Sequence, residues 1–340
     1  MANVADPLAR GSGAKNQGDL EAKPLYFSQM DDSLENLLDG AGLRRQFRES
    51  GSADALGDMR ASESSIEDLR QYVVRNQPVV VRGALTDWPP VLLWDDAYLL
   101  DAGAGVSVPV RHADGALGSC GTPARAGIYR VEEVEWGLLL ESLRTAEQLQ
   151  SPAPLYAAQL RLRTLLPALF RDTRPPPVWL AALGPPWRNA PSAYFGCGSR
   201  TPIHCDMLEN LLCVVRGRKH IKLWHPSHGT QLYPGGGGEA LFSRVSFERL
   251  DDPDFPGFRA AAQLAHDVEL SAADALYLPC GWWHAVSTPP GERSISVSFW
   301  AQQPEGKACA PVERDLVGSG MEEVEACFHV DWQADACIHR

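Results

Sequence analysis

Two metal-binding residue types stand two positions apart at the start of an apolar, strand-like run. The stretch is TPIHCDMLENLLCVVRGRK, residues 201–219, and the pair is His204 and Asp206. In a β-strand, residues i and i+2 project to the same side, so an imidazole nitrogen and a carboxylate oxygen would face one point. Cys205 between them would face the other way. Two such donors are two thirds of a 2-His-1-carboxylate site, whose open positions take substrate and dioxygen at iron(II). Alone, the pair is more often just two surface polars. A third donor stands far downstream, where ALYLPCGWWHAVST carries His284 after a Pro-Cys-Gly break between two short strand-like runs. A closed β-barrel can bring His284 opposite the first two. The plainer reading is a histidine capping a core edge beside Trp282 and Trp283.

Lys219 opens the next run, KHIKLW. It shares a face with Ile221 and Leu223, while His220, Lys222 and Trp224 share the other. A lysine in register with core aliphatics is costly to bury unless an anion neutralises it. No acidic residue nearby in sequence is an obvious partner, and a bound carboxylate would supply the charge. A lysine snorkelling from a strand end is the competing reading. In RSISVSFW, Ile295, Val297 and Phe299 form one face, and Ser294, Ser296, Ser298 and Trp300 the other. If the aliphatic face packs against helices outside a barrel, the serines line a polar cavity. A solvent-facing serine row is equally easy to write.

The elements that must hold these residues can be read coarsely. The chain has 340 residues, 44% apolar and 22% charged, with 30 glycines and 26 prolines, the profile of a globular protein. The net charge of −12 argues against nonspecific binding to nucleic acid or anionic membranes. No apolar stretch reaches the length of a membrane span. Residues 1–24 lack an apolar signal-peptide core and read as part of a tail over 1–30. The eight cysteines (Cys120, Cys197, Cys205, Cys213, Cys280, Cys309, Cys327 and Cys337) form no CxxC. Reduced thiols fit better than a disulfide framework.

Residues 31–77 are expected to be helical. They include SLENLL and then SSIEDLRQYVV, with a capping box from Ser64 to Glu67 and Ile66, Leu69 and Val73 on one face. A strand at Val79–Val81 follows, closed by a turn at Pro89. A strand end and helix are expected over 129–147, and a strand over 155–160. The region from Thr164 to Pro191 reads as proline-rich and irregular, with a short helix near 178–183. From Ala193 onward the pattern is β: AYFGCG, TPIHCD, NLLCVV, KHIKLWHP, ALYLP, WHAVST and SISVSFW. The connection from Pro226 to about Ala272, with GGGG and DDPDFPGF, reads as mostly loop. Residues 305–340 read as an acidic, weakly helical tail.

Taken together, TPIHCDMLENLLCVVRGRKHIKLWHP with LYP, DDPDFPGF, ALYLPCGWWH and SVSFW, in that order, strongly resemble the JmjC-type, cupin-like iron(II) and 2-oxoglutarate-dependent oxygenases. The similarity is to the small hydroxylase branch. That branch includes the asparaginyl hydroxylase that inhibits hypoxia-inducible factor, the JmjC lysyl and arginyl hydroxylases, and the tRNA wybutosine hydroxylase. It covers roughly residues 78–304, the expected catalytic domain. The resemblance implies a mainly β fold: a double-stranded β-helix (jelly-roll) of eight core strands in two facing sheets, with α-helices outside. It implies that His204, Asp206 and His284 bind iron and form the catalytic centre. Lys219 would pair with the distal carboxylate of 2-oxoglutarate. Thr201, Asn210 and Tyr156 match residues that hold or line the cosubstrate pocket. Ser298 falls where some members carry asparagine.

The cofactors implied are Fe(II), 2-oxoglutarate and O2, with ascorbate in support. The reaction implied is oxidative decarboxylation to succinate and carbon dioxide, coupled to hydroxylation of a C–H bond. A protein side chain is the preferred substrate. DMLENLL and the compact connection after LYP also resemble the tRNA wybutosine hydroxylase, and Arg161, Arg163, Arg171, Arg174, Arg188 and Arg200 would have to supply its basic rim. A metal-binding cupin without oxygenase activity, or an inactive binding module, are the readings from other classes. The first does not need Lys219 on a core face, and the second usually lacks one of the three ligands, all of which are present here. The expected location is cytoplasmic or nuclear, away from membranes, with a homodimer through terminal helices left open.

Overall fold

In the computed structural model, the residues described are 55–112, 131–153, 155–175, 191–235, 241–245 and 249–301. The expected tails, the SLENLL helix, the short helix at 178–183 and Gly236–Gly238 lie outside them. The N-terminal part begins with β1 (Gly57–Arg60), α1 (Ile66–Val74) and β2 (Val79–Arg82). Next come α2 (Pro89–Leu93), α3 (Asp96–Ala102), β3 (Ser107–His112), β4 (Val131–Glu135) and α4 (Trp136–Gln148). They lead to β5 (Leu155–Arg161), α5 (Leu162–Leu165) and α6 (Pro167–Asp172). The barrel strands follow: β6 (Ser192–Cys197), β7 (His204–Cys205), β8 (Glu209–Arg216) and β9 (Lys219–Trp224). After α7 (Phe258–Ala262) come β10 (His266–Leu270), β11 (Ala275–Leu278), β12 (Trp283–Ser287) and β13 (Arg293–Ala301).

The eight strands from β6 to β13 divide between two sheets. One has the order β1-β2-β11-β8-β13-β6-β5-β3-β4 and the other β10-β9-β12-β7. Successive core strands alternate between sheets through most of this run, which is the jelly-roll arrangement expected. Side-chain alternation explains why the sheets face each other. On β8, Leu212 and Val214 join Ile221, Leu223, Leu276, Leu278 and Trp282 in a cluster between the sheets. The intervening Leu211, Cys213 and Val215 join Ile295, Val297, Phe299 and Trp136 in the core beneath the helices. Each fully buried Leu, Ile or Val contributes about 1.5–3 kcal/mol. A one-residue slip of β8 would exchange its two buried faces and move Asn210 out of the barrel interior.

The hairpin between β8 and β9 sets where Lys219 enters the barrel. Gly217 sits at φ +69°, and a Cβ there would lie 2.2 Å from the Arg293 carbonyl oxygen. Glycine is therefore required both by conformation and by space. Gly217→Ala is expected to lower stability by roughly 2–5 kcal/mol, as read from urea denaturation midpoints. A loss under 1 kcal/mol would mean that the hairpin shifts to accommodate the methyl.

Several expectations need correction. The capping box of α1 is one residue later than expected: Ser65 Oγ accepts from the Asp68 amide, and the Asp68 carboxylate accepts from the Ser65 amide. Ser64 instead donates to the Arg60 carbonyl. Both pairs have the required spacing, so spacing alone could not choose. On α1, Leu69 and Val73 are buried and Ile66 is exposed. β1 is a strand within the region expected to be helical, paired in parallel with β2. Pro89 starts α2 and does not close a turn, which suits a residue lacking an amide proton at a helix N-terminus. The segment after Thr164 carries α6 and the end of α5 before residue 175.

The connection after Pro226 is not mostly loop. It contains a 3-10 turn over Pro226–Leu232, α7 and the strand β10. In HDVEL, Val268 and Leu270 face inward, while Asp267 pairs with Lys222 and Glu269 with His220 across the strands. Those charges disguised a barrel strand as a surface loop. β3 was missed because Pro109 sits in its middle. The thiols of Cys197, Cys205 and Cys213 are free and buried. Cys280 departs from the expected reduced state: it is disulfide-bonded, a pairing that local spacing cannot announce.

Candidate active site

β7, β12 and β9 are adjacent in the smaller sheet, and their register assembles the first part of the site. His284 on β12 pairs with His204 on β7 and, on its other side, with Leu223 on β9. The strand expected over TPIHCD is only His204–Cys205, so Asp206 lies one residue past its end. The carbonyl of Asp206 accepts from the Gly281 amide at 2.8 Å, which ties the turn after β7 to the turn before β12. His204, Asp206 and His284 thereby offer ligand atoms all within 4.8 Å of one another. The imidazole centroids are 4.1 Å apart, and His284 Nε2 lies 3.5 Å from Asp206 Oδ2. Cys205 points away, into the cluster with Trp224, Phe242 and Trp283 behind the sheet.

The protonation pattern suits metal binding. His204 Nδ1 is 2.8 Å from the Pro202 carbonyl and His284 Nδ1 is 3.0 Å from the Trp282 carbonyl. A carbonyl only accepts, so each Nδ1 carries a proton, which leaves Nε2 as the atom available to a metal. Burial lowers the pKa of His284 to about 4, with the neighbouring His204 acting in the same direction; Asp206 and the Trp282 carbonyl oppose them. His284 is neutral at physiological pH, the form that coordinates a cation.

Lys219 is 3% exposed and lies on the inward face of β9. It stands four residues from Leu223, the partner of His284, which is about 13 Å along the strand. Among the described residues, no acidic side chain pairs with it. Burial alone pulls its pKa down to about 8. This excludes the snorkelling reading. Lys222, on the opposite face, pairs with Asp267 at the surface.

The remaining sequence candidates distribute as follows. Asn210 is buried on β8, and its Oδ1 has no hydrogen-bond partner among the described residues. Tyr156, on β5, lies with its ring against Gly196: a Cβ on that glycine would be 2.8 Å from Tyr156 Cδ2. Thr201 lies beside β12, where its hydroxyl accepts from the Val286 amide at 2.9 Å and its own amide donates to the Val286 carbonyl. Its hydroxyl thus extends the ladder of β12 ahead of β7. Ser298 is buried and hydrogen-bonds with Tyr194, as does Gln159. The serine face of β13 is inside the barrel, and the solvent-facing alternative is excluded.

Sequence reasoning overlooked Tyr194 and Gln159. Burial and then the charge of Asp206 raise the Tyr194 pKa, which places the phenol in the electrostatic field of the metal-ligand cluster. Gln159 has φ +56° at a register irregularity of β5 against β6. A bulge of this kind re-aims side chains near functional sites. The available signal was the alternation of AYFGC, which puts Tyr194 on the inward face with Gly196.

The residues present fit an iron ion and a dicarboxylate. Two imidazoles and one carboxylate form the donor set, and a buried ammonium without an acidic partner among the described residues lies deeper in the same barrel. Comparison with known proteins decides the family. The family model described as a cupin-like domain matches residues 64–306, most of the chain. The chain belongs to the JmjC-type cupin-like family. This cupin-like protein is 32% identical over 238 residues to the lysine-specific demethylase JMJ30 of Arabidopsis thaliana, covering 68% of this chain and 51% of that one. It is 28% identical over 246 residues to lysine-specific demethylase 8 of Xenopus tropicalis, covering 69% and 51%. With the human bifunctional peptidase and (3S)-lysyl hydroxylase JMJD7 it shares 26% over 256 residues, covering 68% and 79%. The chain thus spans about half the length of the two demethylases. Among the described residues, no helix of the cupin-like protein is long and apolar enough to cross a membrane.

Proposed function

We propose that this chain is an iron(II)- and 2-oxoglutarate-dependent oxygenase that hydroxylates a protein side chain. The observation that carries the reading is Lys219, a buried ammonium on the same barrel interior as the His204–Asp206–His284 cluster. A metal-binding cupin of another activity needs the cluster but not the lysine. His204, Asp206 and His284 would hold the metal, and Lys219 would hold the far carboxylate of the cosubstrate. Asn210, Tyr156, Thr201 and Ser298 would line the space between. When bound, the metal and cosubstrate supply an oxidant that hydroxylates an unactivated C–H bond. The chain's part is to orient both, keep the His284 imidazole neutral and exclude water from the interior.

Lys219 gives the reading a pH signature. Its charged form is disfavoured by burial, so without ligand it loses its proton near pH 8, below its ordinary value. Between pH 8 and that ordinary value the unfolded chain binds more protons, so stability of the ligand-free protein rises with pH there. Cosubstrate binding requires the ammonium and therefore moves the opposite way. The 2-oxoglutarate affinity is expected to fall as pH rises through about 8, with a slope approaching tenfold per pH unit. Calorimetric titrations at pH 7 and pH 9 check this, and equal affinities would remove Lys219 from the cosubstrate.

The substrate class rests on other observations. The relatives named above carry names of lysine-specific demethylases and a lysyl hydroxylase, which favours a protein side chain. Demethylation would be the same chemistry at an N-methyl carbon. Among the described residues, the arginines a tRNA would need are divided between the segment from the end of β5 to just past α6 and the turn before β7. Arg163, Arg171 and Arg174 are exposed on and beside α5 and α6, whose Leu162, Leu169 and Phe170 pack in the core beneath the helices, outside the barrel. Arg200 is exposed beside β12, and Arg188 lies outside the described residues. No submicromolar tRNA binding is expected at physiological salt. A filter-binding titration with bulk tRNA showing tight, salt-sensitive binding that is lost in Arg161→Ala/Arg163→Ala would replace the protein substrate by RNA.

A further inference from the structure

β7 lies at the edge of the smaller sheet, with β12 on one side. An edge strand leaves amides and carbonyls to be paired some other way, and this edge carries His204. The segment 241–243 covers it. The Cys205 amide donates to the Leu241 carbonyl and the Ser243 amide to the Ile203 carbonyl, both at 2.9 Å. His204 and Phe242 stand directly opposite each other between those two bonds. In an antiparallel ladder this is the close, non-hydrogen-bonded kind of pair, with Cα atoms about 4.5 Å apart and both side chains on one face. The Phe242 ring accordingly stacks on the His204 imidazole, with centroids 5.7 Å apart and planes 13° from parallel.

Phe242 is itself tied down on its far side. Its carbonyl accepts from the Gly235 amide at 2.8 Å, and the Arg244 amide donates to the Tyr233 carbonyl at 2.9 Å. The Ser243 hydroxyl donates to the Leu232 carbonyl and accepts from the Val245 amide. The ring is buried and belongs to the apolar cluster that also holds Leu232, Leu241 and Phe258. His204, by contrast, is half-buried where Asp206 and His284 are buried. Three contacts restrain its imidazole: Nδ1 on the Pro202 carbonyl, the tilted His284 ring at 4.1 Å, and the face of Phe242. Of these, Phe242 is the one that neither ligates nor belongs to the segment carrying His204. An apolar ring held against a ligating imidazole fixes its plane and keeps water from that side of the site.

We infer that Phe242 is a positioning residue of the metal centre: it holds the plane of the His204 imidazole at the open edge of β7 and thereby slows release of the metal. This rests on the metal-binding part of the reading above and is independent of the cosubstrate. Sequence gave no pointer to it, because the run GGGGEALFS reads as a connection and its pairing with β7 spans 38 positions, from His204 to Phe242.

The test is the rate at which iron(II)-loaded protein, kept free of oxygen and of 2-oxoglutarate, gives up its metal to an excess of a chromogenic iron(II) chelator. Wild type is compared with Phe242→Leu, which stays apolar and loses the ring, and with Phe242→Tyr, which keeps the ring. Phe258→Leu is the control: it is the same substitution, fully buried in the same cluster, at a residue not in contact with His204. Phe242→Leu is expected to release iron about 10-fold faster than wild type, with Phe242→Tyr and Phe258→Leu within about threefold of it. Thermal melting is expected to fall no further in Phe242→Leu than in Phe258→Leu. Equal release from wild type and Phe242→Leu would overturn the assignment. Equal acceleration in Phe258→Leu or in Phe242→Tyr would overturn it too, by showing that the cluster as a whole, and not the stacked ring, retains the metal. Wild type that holds no iron would overturn both this role and the oxygenase reading. The expected release rates from a protein that then fails to bind 2-oxoglutarate would overturn the oxygenase reading and leave the role of Phe242 standing.

Discussion

Asp206→Ala and His284→Ala each lower iron(II)-dependent formation of succinate from 2-oxoglutarate by at least about 100-fold, the expected consequence of removing one of three ligands. The folded state survives in both. Asp206 and His284 face each other at 3.5 Å with their ligand atoms converging on one point, so either truncation leaves the other two groups in place but below the number that holds a metal. His284→Ala leaves a cavity beside the His204 ring, and Asp206→Ala removes a buried charge. Iron retention after desalting, measured alongside succinate, separates a lost ligand from a lost fold. Variants that retain wild-type iron content and turnover would remove this cluster from the chemistry.

Lys219→Ala is the second large effect. It is expected to raise the 2-oxoglutarate requirement by roughly 10–100-fold, the range of a buried charge-assisted contact, while iron affinity stays within about twofold. The split is the informative part, because Lys219 stands about 13 Å along β9 from the level of His284 and touches no proposed ligand. Lys222→Ala is the control. Its ammonium pairs with Asp267 at the surface, on the opposite face of the same strand, and its loss leaves both quantities unchanged. A fall in iron affinity with an unchanged 2-oxoglutarate requirement would make Lys219 a structural residue.

The fold was legible in sequence where one periodicity dominates. β8, β9, β11, β12 and β13 alternate or run continuously apolar, and the structure has them all as strands within a residue or two of expectation. β10 was hidden because its outward positions, Asp267 and Glu269, exist to pair with β9, and a cross-strand partner is not visible from one strand. β3 was hidden by Pro109. The α1 cap was misplaced because two Ser-to-acid pairs of identical spacing overlap there. These are failures of local information, and in each case the tertiary partner decides.

The site divides the same way. Types and spacing pointed to His204 and Asp206 as a pair. Bringing His284 to them required the barrel, since it pairs with His204 from 80 positions downstream. The facing alternation in KHIKLW was enough to mark Lys219 as anomalous, and burial bears that out. Tyr194 and Gln159 could not be read in this way. Gln159 reaches the Tyr194 hydroxyl only because β5 bulges into a left-handed conformation there, and nothing in YAAQL signals that turn of the backbone.

The central claim is that this barrel couples dioxygen to 2-oxoglutarate at iron. The most direct measurement is mass spectrometry of the succinate formed by purified wild-type protein with iron(II), ascorbate and 2-oxoglutarate under heavy-isotope dioxygen. Oxidative decarboxylation by dioxygen places one heavy oxygen atom in succinate, and the same label is absent when iron is omitted. Failure to form succinate in the complete mixture, or succinate without the label at the level of the iron-free control, would contradict the account.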